Sequence, residues 1–102
     1  MGDDGHTLSL FPGTEVIHET ERWVNTFFLA AQDMYRITLT APVVNAAKYV
    51  AFMAVGSGKA ENLKSVLEGA KDLDKFPSQI IEPVNGELHW FVDETAAALL
   101  EK

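Results

Sequence analysis

The sequence predicts an α/β protein built on a mostly parallel sheet. Strand-like runs stand at 22–29, 36–40, 49–55 and 87–93, each rich in aromatic, β-branched or other apolar residues. Helical patterns stand at 42–48, at 59–69 and from 94 onward. Strands that alternate with helices in this way form parallel pairs joined by right-handed crossovers. A chain of 102 residues makes at most one domain, and its three or four strands with three short helices cover only part of such a sheet.

Residues 1–14, "MGDDGHTLSLFPGT", read as a loop, with glycines, a proline, acids and small hydroxyl residues in close succession. "RWVNTFFL" (22–29) is a strand, "AAQDMY" a connector, and "RITLT" (36–40) a short strand alternating Ile37 and Leu39 with polar residues. Pro42 suits the first turn of a helix, where its missing N–H is no loss, so 42–48 reads as a short helix. "YVAFMAV" (49–55) is continuously apolar, as a strand buried on both faces would be. "GSG" breaks it. "KAENLKSVLEG" then carries an apolar stripe of Ala60, Leu63, Val66 and Leu67, with Gly69 as the C-terminal cap. The segment 70–86 is mostly loop with one helical turn at 77–81; "ELHWFVD" (87–93) is a strand, and Asp93 caps an alanine-rich helix over 94–102.

Composition narrows the function. The net charge is -7, from 15 acids against 8 bases, a surface that repels nucleic acid and anionic membranes. No apolar stretch approaches the roughly 20 residues of a membrane span, and the opening residues lack the basic-then-apolar order of a signal peptide. Without cysteine there is no disulfide, thiol nucleophile or thiolate metal site. These features fit a cytoplasmic protein. An anionic ligand would rest on a few cations, and Arg22 and Arg36 are the only arginines.

In "GDDGHT", Gly2 and Gly5 permit a sharp turn, His6 exchanges protons near neutral pH, and Asp4 stands two residues away to fix its tautomer. That is a base with its orienting carboxylate; the alternative is an unstructured acidic end with an incidental histidine. "AVGSGKAENL" has the strand, glycine-rich turn and helix of an anion site, with Lys59 beside the helix start. An ordinary βα turn with a solvated lysine reads the same. A nucleotide P-loop is excluded, because its pattern needs glycine at 53 and a hydroxyl residue at 60, where Met53 and Ala60 stand. Arg36 and Thr38 share a strand face and could grip a phosphate, or simply face water. His18 and His89 stand alone, and no zinc spacing is present. Trp23 and Trp90 read as core. Ser9 offers a serine nucleophile only without the G-x-S-x-G elbow.

"GDDGHTLSLFPGT", "RITLTAPVVNAAKYVAFMAVGSGKAENLKSVLEG" and "FPSQIIEPVNGELHWFVDETAA", in that order, resemble the C-terminal half of the 6-phosphogluconolactonase family. The related glucosamine-6-phosphate deaminases share the D-G-H loop but continue differently; here it continues "TLSLFPGT". The resemblance implies a partial Rossmann-like, three-layer αβα fold of the sugar-phosphate isomerase type, lacking its N-terminal half. Residues 1–102 would be the C-terminal portion of one domain.

It also implies hydrolysis of 6-phosphoglucono-1,5-lactone in the oxidative pentose phosphate pathway, without metal or organic cofactor. By the same resemblance His6 matches the general base, Asp4 its neighbouring carboxylate, Lys59 a phosphate-binding lysine and Arg36 a motif arginine near the phosphate. Gly5 and Thr7 match loop-shaping positions. The family's N-terminal half carries a glycine-rich phosphate loop and central strands. The expectation is therefore that the isolated chain is inactive or nearly so, and that it associates with itself or with such a half. A catalytically inert binding or oligomerisation module and a deaminase-like isomerase remain the alternatives.

Overall fold

A computed structural model describes residues 1–101. Its strands form two pairs. β1 (Val24–Leu29) and β2 (Met34–Leu39) make an antiparallel hairpin, with Val24 opposite Leu39 and Leu29 opposite Met34. β3 (Tyr49–Ala54) and β4 (Glu87–Val92) run parallel, with Tyr49 opposite Glu87 and Ala54 opposite Val92. The α/β class holds, and β3–β4 is the expected parallel unit; the hairpin departs from it. The reason lies in the connector. Met34 and Tyr35 belong to β2, so only residues 30–33 separate the strands. A parallel connection needs a dozen residues or more. Here a 3-10 turn at Ala30–Gln32 and Asp33, with φ of 50°, reverse the chain on the spot.

α1 (Ala41–Asn45) carries Pro42 in its first turn, as its sequence demands, but ends earlier than 48. A last 3-10 bond from Ala47 N–H to the Val44 carbonyl closes it, and the chain extends into β3. α2 (Ala60–Glu68) links β3 to β4 and buries Ala60 and Leu63. Val66 is half-buried and Leu67 exposed, so the stripe is narrower than its apolar residues indicate. Gly69 ends the helix in extended rather than left-handed backbone. The cap comes instead from the buried Gln79, whose side-chain amide donates to the carbonyls of Ser65, Val66 and Ala70. The turn expected at 77–81 is a 3-10 turn at Pro77–Ile80.

After β4 the expected helix gives way to turns. Asp93 does cap, accepting the Ala96 N–H at 2.8 Å and the Thr95 hydroxyl at 3.0 Å. Beyond it only the Ala97 N–H reaches back four residues, to the Asp93 carbonyl, and the following bonds are of the tighter i+3 kind. Segments this short are marginal helices. Lys102, the end of that expected helix, lies outside the described residues. Asp93 also accepts the Gly56 N–H, at 3.2 and 3.3 Å. The Ala96 and Gly56 amides hold its carboxyl below the ordinary value and tie the β3–α2 turn to the end of β4.

Two apolar clusters form the core. Leu10, Val16 and Ile17 pack with Phe27 and Ile80. Ala54, Leu63 and Ala96 pack with Met1, Trp90 and Leu100. Trp90 stacks on Phe52 at 4.1 Å, in the core as expected. Trp23 is not, being 64% exposed before β1. Nor is β3 buried on both faces. Phe52 and Ala54 face α2, while Tyr49 and Met53, with Phe91 of β4, are 60–69% exposed on the other side. A parallel pair needs cover on both faces, and one face here has none among the described residues. The outer face of the hairpin is similarly open and apolar, with Phe28, Tyr35 and Ile37 exposed.

Candidate functional site

The loop at the start of the chain is folded. Gly2 N–H donates to the His6 carbonyl at 2.8 Å and Gly5 N–H to the Gly2 carbonyl at 3.1 Å. Gly5 has φ of 86°, a conformation only glycine adopts without strain. Gly2 must also be glycine, for a Cβ there would run into the His6 ring. Thr7 accepts the Leu10 N–H at 2.9 Å and closes the next turn, with Leu8 at φ of 55°. Gly5 and Thr7 thus sit at the two bends of the loop.

His6 Nδ1 lies 2.5 Å from Asp4 Oδ1, and the same oxygen accepts the His6 backbone N–H at 3.0 Å. Burial pushes the Asp4 carboxyl up, but the hydrogen bonds from the His6 ring and amide, with the ring's charge, outweigh it and hold Asp4 below the ordinary carboxylate value. An ionised carboxylate only accepts, so Nδ1 is the nitrogen that donates to Asp4, and Nε2 is the nitrogen that gains or loses the ring's second proton. Nε2 has no protein partner among the described residues. The histidine is therefore oriented, and its basic nitrogen is available.

The other sequence-predicted cations contact the same loop. The His6 ring stacks on Phe11 at 4.2 Å, and Arg36 Cζ lies 5.5 Å from the centroid of the Phe11 ring. Arg36 also donates to the Gln32 side chain, while its buried Nε has no hydrogen-bond partner among the described residues. Lys59 Nζ meets Asp3 Oδ1 at 3.0 Å, and Asn62 of α2 donates to the Asp3 carbonyl. Asp3 and Asp4 are adjacent, so the lysine turn and the histidine loop are stitched together. The structure brings His6, Asp4, Lys59 and Arg36 around one loop.

Three expectations change. Thr38 does not stand free beside Arg36: it is 4% exposed, accepts the Ser9 N–H at 3.0 Å and donates to the Leu39 carbonyl. It anchors the loop instead of offering a hydroxyl to a ligand. His18 is paired rather than alone, at 2.9 Å from Asp74, and His89 lies 3.0 Å from Glu87. No hydrogen bond joins Ser9 to His6 among the described residues, so the serine-nucleophile reading has no support. Phe11, Asn62 and the buried Ser78, which holds the loop from below, were not legible as site residues. "FPSQ" signals a turn through its proline, but nothing local shows that Ser78 faces Gly5.

The site is open. A cleft of about 580 Å³ runs along β1 past Pro12–Glu15, and another of about 290 Å³ lies between Glu15–Thr20 and Asn25–Phe27. His6, Asp4, Arg36 and Lys59 line neither of these clefts, nor the two that open beside Gln79 and beside Pro42. No group of three or more histidine, aspartate or glutamate side chains among the described residues could hold a metal ion, and no described helix is long and apolar enough to cross a membrane.

Fold and site together define an α/β protein whose first loop carries a carboxylate-oriented imidazole and touches a lysine through Asp3 and an arginine through Phe11. Residues 1–90 match the profile of the glucosamine-6-phosphate isomerases/6-phosphogluconolactonase family, and the chain belongs to that family. It is 44% identical over 101 residues to a human 6-phosphogluconolactonase, covering 98% of this chain and 39% of the relative. A probable 6-phosphogluconolactonase from Schizosaccharomyces pombe is 43% identical over 103 residues, with 99% and 39% covered. Among solved structures, a 6-phosphogluconolactonase from Trypanosoma cruzi superposes with a TM-score of 0.82 at 26% identity, over 99% of this chain and 39% of the other. The chain thus spans about two fifths of the length of these relatives.

Proposed function

We propose that the chain carries the base-bearing portion of a 6-phosphogluconolactonase, which hydrolyses 6-phosphoglucono-1,5-lactone to 6-phosphogluconate in the oxidative pentose phosphate pathway. The observation that carries this reading is the 2.5 Å contact of His6 Nδ1 with Asp4, which leaves Nε2 as an oriented base. Nε2 takes a proton from water as the water oxygen adds to the lactone carbonyl carbon. The tetrahedral adduct then breaks its bond to the ring oxygen, and the imidazolium returns its proton to that oxygen. The acid so formed ionises. Asp4 keeps its charge throughout and stabilises the imidazolium.

Lys59 and Arg36 hold the phosphate, and holding it away from the reacting ester orients the carbonyl. In the unliganded chain Asp3 occupies Lys59, so a phosphate dianion displaces one carboxylate from the lysine. Residues 1–102 are read as the C-terminal portion of one domain. The rest of the domain, on the same or another polypeptide, covers the open face of Tyr49, Met53 and Phe91 and closes the substrate site. The family profile spans isomerases and lactonases alike, and the relatives named above favour the lactone substrate.

The test is calorimetric. Lys59→Ala is expected to weaken binding of 6-phosphogluconate by about tenfold or more, the worth of one charge-assisted hydrogen bond, while leaving the weaker binding of unphosphorylated gluconate unchanged. Equal affinity of variant and parent for the phosphorylated sugar would remove Lys59 from the site.

A further inference from the structure

The geometry points to Ser78 as a positioning residue that sets the alignment of the Asp4–His6 pair through the Gly5 carbonyl. The inference rests on the reading of His6 as the base, but it concerns residues that sequence motifs did not single out. Ser78 is 2% exposed, in the 3-10 turn Pro77–Ile80, far along the chain from the histidine loop. Both its donors are aimed at one acceptor: the backbone N–H reaches the Gly5 carbonyl at 3.0 Å and the hydroxyl reaches it at 2.8 Å. That carbonyl therefore has both lone pairs engaged.

The consequence follows from the planarity of the peptide group. The Gly5 carbonyl and the His6 N–H belong to the same peptide unit. Ser78 holds one end of the unit with two hydrogen bonds. The other end donates to Asp4 Oδ1 at 3.0 Å, and that oxygen is the one facing His6 Nδ1 at 2.5 Å. Any rocking of the plane moves the amide relative to Asp4 and so moves the carboxylate relative to the ring. Gly5 cannot resist such rocking by itself, being a glycine at positive φ. Phe76 packs against the place where its Cβ would stand, at 3.1 Å, and bars displacement in that direction. The Pro77–Ile80 turn is in this sense the floor of the site. The same turn supplies Gln79 to cap the C-terminal end of α2, the helix that follows Lys59.

The experiment uses the full 102-residue chain and needs no turnover. Ser78→Ala removes the hydroxyl and keeps the backbone bond. Ser78→Cys keeps nearly the volume with a weaker donor, and serves if the alanine variant does not fold. Two readouts report the pair itself: the downfield proton resonance of His6 Nδ1–H, and the titration of the Asp4 carboxyl carbon. Asp4 is faced by the His6 ring and amide, and its chain neighbour Asp3 is paired with Lys59. The expected result is loss or broadening of the Nδ1–H resonance in a folded variant, together with a rise of the Asp4 midpoint toward the ordinary carboxylate value. A role confined to packing would lower the melting temperature and leave both signals in place. A folded Ser78 variant that keeps the Nδ1–H resonance and the depressed Asp4 titration overturns the inference, whatever its stability.

Discussion

Replacing His6 by alanine is expected to lower lactone turnover by about 10²–10⁴-fold, assayed with the remainder of the family domain present. The size follows from what is lost. Water at neutral pH is a poor nucleophile, and a base held by Asp4 at 2.5 Å needs no reorientation before it takes the proton. Alanine leaves Lys59 and Arg36, the proposed phosphate-holding pair, untouched, so the loss should appear in kcat with KM little changed. His6→Gln keeps a polar side chain without a titratable nitrogen and should fall as far. A His6→Ala enzyme with undiminished kcat would take His6 out of the reaction and leave the loop a purely structural bend.

Leu63→Ala should cost about 2–5 kcal/mol of folding stability, read as a lowered denaturant midpoint. Leu63 is fully buried against Ala54 of β3 and Ala96 after β4, with Met1, Trp90 and Leu100 around it. Two of those neighbours are alanines, whose short side chains cannot swing in to fill the space. Small domains hold only about 5–15 kcal/mol in total, so the change removes a large share of the reserve. It also loosens α2 from β3, and with α2 the turn that carries Lys59. An unchanged midpoint would mean that this cluster is not the second core of the chain.

The parts of the fold that could be read in advance are those marked by an apolar run or an apolar stripe. The short apolar run of β3, the amphipathic α2 and the apolar strand around Trp90 announce a βαβ unit, because strand-like and helical stretches alternate along the sequence. The direction of β1 against β2 was hidden. Strand composition is indifferent to orientation, and only the true connector length, which excludes Met34 and Tyr35, decides it. The exposure of Trp23, Tyr49 and Met53 was hidden for a different reason: apolar residues were assigned to a core that presumes cover on both faces.

At the site, Asp4, His6 and Lys59 were legible because they lie in compact motifs whose chemistry depends on near neighbours. Ser78, Gln79 and Asn62 were not, nor was the anchoring role of Thr38. Their partners are backbone groups distant in sequence, at Gly5, Ser65, Asp3 and Ser9 respectively, and a backbone carbonyl or amide leaves no trace in residue identity.

The most direct test of the common site is a ¹H–¹⁵N titration of the chain with 6-phosphogluconate. His6 and Lys59 stand on separate elements, linked through the ion pairs of the adjacent Asp4 and Asp3. One sugar phosphate bridging base and lysine should shift the signals of both residues, and the Arg36 side-chain signal with them, along a single saturation curve. Shifts confined to the cleft between Glu15 and Phe27, or separate curves for His6 and Lys59, would contradict it.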